Sequence, residues 1–113
     1  MFERRRFLRI PDELEITYKV ISDTKTKMFM TKDISQGGIR FFAQEPIPQN
    51  SLLEIRLTLK EVPFSFKTVV RTRWVKMVPY GDLYEVGVEF INIPQDAAEH
   101  LLQYINTILK KNE

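Results

Sequence analysis

Alternation with a period of two runs through most of this chain and leaves few folds open to it. In "LLEIRLTL", Leu53, Ile55, Leu57 and Leu59 fall on one face, with Glu54, Arg56 and Thr58 on the other. "LEITYKVI" repeats the pattern with Leu14, Ile16, Tyr18 and Val20, and "YEVGVEF" with Tyr84, Val86, Val88 and Phe90. "KMFMTKDI", "GIRFFA" and the long "FSFKTVVRTRWVKMV" are further strand candidates, the last long enough to demand a bend or strong twist. Half-buried strands read this way because successive side chains point to opposite faces of a sheet. Pro46, Pro48, Pro63, Pro79 and Gly81 punctuate the gaps.

The period changes near the C-terminus. At 100° per residue, Ala98, Leu101, Leu102, Ile105, Ile108 and Leu109 form one stripe of a helix from about Pro94 to Lys110. Pro94 suits a first helical position, Asp96 and Glu99 suit the positive end of the helix dipole, and Lys110 and Lys111 the other end. The expected fold is mainly β, a small six-stranded antiparallel barrel capped or flanked by one C-terminal helix. A length of 113 residues fits one domain, read as an N-terminal arm over residues 1–11 and a barrel with its helix over 12–113.

The arm, "ERRRFLRIP", sets Arg4, Arg5, Arg6 and Arg9 close together, although the whole chain carries a net charge of only +2. The cluster is therefore local, and a general nucleic-acid binder would carry a wider excess. With no cysteine there is no disulfide, thiolate nucleophile or thiolate metal site. No apolar run of signal or membrane length is present, so the chain reads as a soluble cytoplasmic protein.

The second informative stretch is "DISQGG", Asp33 to Gly38. Alone it reads as a turn, with Asp and Ser bonding local backbone and glycine supplying conformational freedom. Taken with the arm it becomes specific: Arg5-x-x-x-Arg9 followed by Asp33-x-Ser35-x-x-Gly38 resembles the PilZ domain, the bacterial receptor module for cyclic diguanylate (cyclic di-GMP). "GGIRF", "YEVGVEF" and the closing amphipathic helix extend the likeness from Arg4 to about Leu109. The resemblance implies that Arg5 and Arg9 meet phosphate and guanine, and that Asp33 meets the N1/N2 edge of guanine. Ser35 and Gly38 complete the motif, and Arg4 accompanies binding of the ligand as an intercalated pair. It implies no other cofactor, no metal, and an unidentified protein partner through which a lone domain signals as its arm changes conformation.

The chemistry stands beside the resemblance. An arginine fork matches guanine O6 and N7 and pairs bidentately with phosphate. A carboxylate is the acceptor that matches the N1–H and N2 amine donors on the opposite edge. Rival functions fare worse. His100, the only histidine, sits off the helix's apolar stripe and reads as a solvated surface residue, so no nucleophile–base constellation forms with Ser35 and the chain is not read as an enzyme. Glu85 and Glu89 share a strand face that reads as solvated. A basic β-barrel gripping nucleic acid would use Arg71, Arg73 and Trp74, but the arginines alternate outward and Trp74 takes the core-facing parity. A degenerate PilZ-like interaction module would lack one of the two motifs, and both are intact here.

Overall fold

The computed structural model describes residues 9–60, 64–79 and 81–111. Seven strands and one helix follow in order: β1 (Ile10–Pro11), β2 (Glu15–Val20), β3 (Lys27–Ile34), β4 (Gly38–Ala43), β5 (Leu52–Leu59), β6 (Phe64–Met77), β7 (Tyr84–Asn92) and α1 (Gln95–Lys111). Every pairing is antiparallel, and the circuit β3-β2-β5-β6-β7-β4 closes where β4 meets β3. The result is the expected six-stranded barrel with one additional short strand, and closure leaves that circuit without a free sheet edge.

The additional strand is the end of the arginine-rich segment. Ile10 pairs with Ile34 and Pro11 with Asp33, so β1 lies against β3 beyond the end of β2. Two hydrogen bonds bridge the gap between β1 and β2: Asp12 N–H donates to the Lys32 carbonyl, and Thr31 N–H donates to the Leu14 carbonyl. The Thr31 hydroxyl completes the patch. It accepts from Leu14 N–H at 2.8 Å and donates to the Asp12 carbonyl at 2.7 Å. Proline suits β1 because Pro11 has no N–H to offer a ladder.

The alternation read from sequence holds most cleanly on β5, whose Leu53, Ile55, Leu57 and Leu59 are all buried while Leu52, Glu54, Arg56 and Thr58 are exposed. These side chains meet Ile16, Tyr18, Ile39, Phe41, Val70, Val86 and Val88 in one core. Three irregularities break the alternation elsewhere: one, between Val69 and Val70, leaves Ile91 of β7 extra, and the other two are β-bulges on β3 and β6. On β3 the register steps from Thr31 opposite Phe41 to Asp33 opposite Arg40, leaving Lys32 as an extra residue. On β6 it steps from Thr72 opposite Val88 to Trp74 opposite Gly87, leaving Arg73 extra. Each β-bulge reverses the inward–outward parity of everything after it. Trp74, expected to face the core, is instead carried to the outer surface by the bulge at Arg73.

The helix lies where the sequence places it, but turned. Ala97, Leu101, Tyr104 and Ile105 are its buried residues, while Leu102, counted in the expected stripe, is 39% exposed. The buried face is rotated by roughly 60° from the expected one at 100° per residue. Tyr104 accounts for the turn: its ring is buried, and its hydroxyl donates to Asp12 Oδ2 immediately after β1. The rotation also brings His100 toward the barrel. Rather than a solvated surface residue, it is half-buried, with its imidazole stacked on the Phe64 ring at a centroid distance of 3.8 Å.

Thr31→Val keeps the side-chain shape but removes both hydroxyl bonds at the β1–β2 gap. It should lower unfolding free energy by about 1–3 kcal/mol, the usual effect of leaving buried backbone groups unsatisfied. Urea denaturation of the two proteins measures the difference.

Candidate functional site

The two bulges aim side chains from different strands at one outer patch of the barrel. The bulge at Lys32 turns Asp33 away from the core and sets it opposite Arg40 of β4. Arg40 in turn faces Gly87 of β7, and Gly87 faces Trp74 of β6. Asp33, Arg40, Gly87 and Trp74 thus form one row across four neighbouring strands. β1 ends the row, delivering Arg9 to Asp33.

Asp33 is an acid enclosed in protein, 3% exposed. A carboxylate so buried costs heavily unless cationic donors meet its charge and lone pairs, and two arginines do so. Arg9 donates from Nη1 to Oδ1 at 3.0 Å. Arg40 donates from both Nε, at 2.6 Å, and Nη2 to Oδ2. The hydrogen bonds with Asp33 raise the Arg40 guanidinium above its ordinary value, against the opposing effect of burial. Glu85 also raises it.

Glu85 contradicts the expectation of a solvated acidic face. Its side chain is 5% exposed, whereas that of Glu89, which shares the face, is 50% exposed. Lys32 Nζ donates to Glu85 Oε1 at 2.6 Å, while Arg40 Nη1 and Lys76 Nζ both stand 3.9 Å from Oε2. A local excess of cations over anions surrounds the row even though the chain as a whole is near neutral.

The "DISQGG" turn borders the row. Ser35 N–H donates to the Gly38 carbonyl at 2.9 Å, and Gly37 N–H donates to Ser35 Oγ at 3.2 Å. The serine hydroxyl therefore shapes the turn itself and donates to the Gly38 carbonyl. No described glycine has positive φ, so Gly38 is required for closeness rather than for conformation. A Cβ placed there would fall 2.0 Å from the Val88 carbonyl oxygen of the adjoining strand. Phe90 N–H also donates to the Gly37 carbonyl, fastening the turn to β7.

An open concavity of about 580 Å³ lies against this turn, bounded by Arg9, Ser35, Gln36, Trp74, Gly87 and Phe90 among others. Trp74 covers Gly87 so closely that an alanine Cβ at 87 would stand 2.3 Å from its Cε2. The concavity thus offers an indole, a guanidinium fixed by a carboxylate, and a turn with little side chain in the way. Of the sequence-derived site residues, the structure brings Arg9, Asp33, Ser35 and Gly38 together; Arg4 and Arg5 lie outside the described residues. Arg40, Trp74, Gly87 and Glu85 were not among them. Arg40 stood in a quoted strand without a partner to mark it, and a bulge hid the outward aim of Trp74.

The chain matches the PilZ domain family over residues 3–107. It belongs to the PilZ family. This PilZ chain is similar in fold to the inhibitor of motility (MotI/DgrA) of Bacillus subtilis, with a TM-score of 0.82 and 23% identity over 97% of this chain and 53% of that one. It is similarly close to MrkH of K. pneumonia, solved as a c-di-GMP complex, with a TM-score of 0.84 and 17% identity over 98% of this chain and 55% of that one. The PilZ domain of YcgR from Escherichia coli, solved with c-di-GMP, gives a TM-score of 0.73 at 17% identity, covering 97% of this chain and 94% of that one. The chain spans about half the length of the first two. No curated protein matches it in sequence. Among the described residues, no helix is long and apolar enough to cross a membrane.

Gly87→Ala should force the indole of Trp74 off the barrel surface. Since Trp74 is the only tryptophan, its emission maximum should move while unfolding free energy falls by about 1–3 kcal/mol, as overpacking usually costs. Fluorescence spectra and urea denaturation of the variant report the two effects.

Proposed function

We propose that this PilZ chain is a cyclic di-GMP receptor, binding the dinucleotide in the concavity between the arginine-bearing β1 end and the "DISQGG" turn. The observation that carries the reading is Arg9 fixed at 3.0 Å by the buried Asp33, beside a concavity bounded by Trp74. The three supply matching chemistry. A guanidinium meets phosphate or the O6/N7 edge of guanine, a carboxylate meets N1–H and N2–H₂, and an indole stacks on a base. A volume of about 580 Å³ falls within the roughly 300–1,000 Å³ of small-ligand sites. The c-di-GMP complexes of MrkH and YcgR, similar in fold, support the same ligand.

Arg5 completes the arginine pair, and Arg4 stacks on or neutralises a second ligand molecule, so that the dinucleotide binds as an intercalated dimer. Ligand phosphates draw the arginine-rich segment preceding Arg9 across the concavity. The composite surface of segment, ligand and barrel is then what a protein partner in the bacterial cytoplasm recognises. The chain acts as an adaptor and catalyses no reaction.

Isothermal titration should show cyclic di-GMP binding well above cyclic di-AMP, whose adenine lacks the N1–H and N2–H₂ donor pair. Asp33→Ala should weaken the guanine ligand by about 1–3 kcal/mol, the worth of a bidentate base contact. Equal affinity for the two dinucleotides would overturn the assignment of Asp33. The same titration should give two ligands per chain, falling toward one in Arg4→Leu; a wild-type stoichiometry of one would remove the role given to Arg4.

A further inference from the structure

Asp33 has no room for a guanine as it stands. A carboxylate oxygen accepts along two lone-pair directions. Arg40 takes both directions on Oδ2, through Nε and Nη2, while Arg9 takes one on Oδ1. One direction on Oδ1 is left, enough for a single donor. A guanine presenting N1–H and N2–H₂ side by side needs both oxygens. Either the bidentate contact does not form, or Arg40 leaves Oδ2.

A second acceptor is already in place for it. Glu85 Oε2 lies 3.9 Å from Arg40 Nη1, just beyond hydrogen-bonding distance. Its other oxygen, Oε1, is held by Lys32 at 2.6 Å, which fixes the carboxylate without occupying Oε2. Lys76, the other cation facing Oε2, is also 3.9 Å away and its side chain is 69% exposed, so it is readily displaced into solvent. Arg40 itself is planar, permanently charged and half-buried, and an arginine leaving a buried carboxylate needs another anion within a short swing.

We infer that Arg40 and Glu85 form an exchange pair: guanine takes Asp33 Oδ2, and Arg40 moves from Asp33 to Glu85 Oε2. This rests on the cyclic di-GMP reading above and deepens it. Arg40 is the competitor that a ligand must outbid at Asp33, and Glu85 is a positioning residue that sets the cost of displacing it without touching ligand. The exchange also discriminates between bases. Inosine keeps N1–H but lacks the 2-amino group, so it can use the remaining direction on Oδ1 and leave Arg40 where it is.

The test is a double-mutant cycle read with two ligands. Cyclic di-GMP and cyclic di-IMP are titrated into wild type, Glu85→Gln, Arg40→Gln and the double variant, with thermal melts to establish folding. Glu85→Gln should weaken cyclic di-GMP about tenfold in the wild-type background but less than about twofold once Arg40 is Gln, a coupling within the range of contacting side chains. For cyclic di-IMP the two backgrounds should respond alike. A change of equal size in both backgrounds with cyclic di-GMP, or the same coupling with both ligands, overturns the exchange. Should Glu85→Gln not fold, the Arg40 Nε–H resonance of the wild-type protein, assigned through Arg40→Lys, gives the answer. It should shift on saturation with cyclic di-GMP and stay in place with cyclic di-IMP; a resonance unmoved by cyclic di-GMP overturns the exchange. Absence of any cyclic di-GMP binding to wild type rejects the receptor reading itself, and the exchange with it. Binding without coupling rejects the exchange alone.

Discussion

A buried carboxylate joins the separate parts of this molecule. Asp33 sits on β3 at the point where β1 and β4 flank it, and it receives one arginine from each side. An ion so enclosed is tolerable only with its charge and lone pairs matched, and leaving one partner out would expose the full desolvation penalty. The placement of Arg9 at the end of β1 and of Arg40 on β4 therefore follows from one electrostatic demand. That demand also presents the Arg9 guanidinium at the edge of the concavity in a fixed orientation, so less side-chain entropy remains to be lost on meeting an anion.

The barrel supplies the rigidity and the bulges supply the aim. A strictly alternating strand cannot send Thr31 and Asp33 to opposite faces, because residues two apart share one. The extra residue at Lys32 makes that possible, with Thr31 facing Phe41 in the core and Asp33 facing Arg40 outside it. Arg73 does the same for Thr72 and Trp74. The bulge at Arg73 places Trp74 on the border of the concavity, and the bulge at Lys32 sets Asp33 against Arg9, which lines it, while Thr72 and Thr31 stay in the core.

The helix is connected to this arrangement through Asp12. Its backbone bonds Lys32 and Thr31, and its side chain accepts from Tyr104 of α1 and pairs with Lys60 at 3.6 Å. The residue that follows β1 is thus the one that fastens the helix. Any rearrangement at Arg9 is only three residues from the Asp12–Tyr104 contact, a short route from the edge of the concavity to α1.

Local pattern alone determined the fold class and the strands and marked the "DISQGG" turn, because side-chain periodicity and turn chemistry act over a few residues. Leu53 to Leu59 alternate as written, and the helix begins within a residue of the expected start. "DISQGG" is the turn its residues call for. Tertiary structure decided what needed distant partners. Trp74 reads as core until a bulge against Gly87 reverses its parity, and Glu85 reads as solvated until Lys32, Arg40 and Lys76 close over it. The helix face was set by Tyr104 reaching Asp12, a contact spanning most of the chain. Arg40 had no mark in the sequence, since what singles it out is a carboxylate seven residues away that only the β3–β4 register brings opposite it. Parity and charge pairing are properties of strand pairs, and a single chain read end to end carries only one member of each pair at a time.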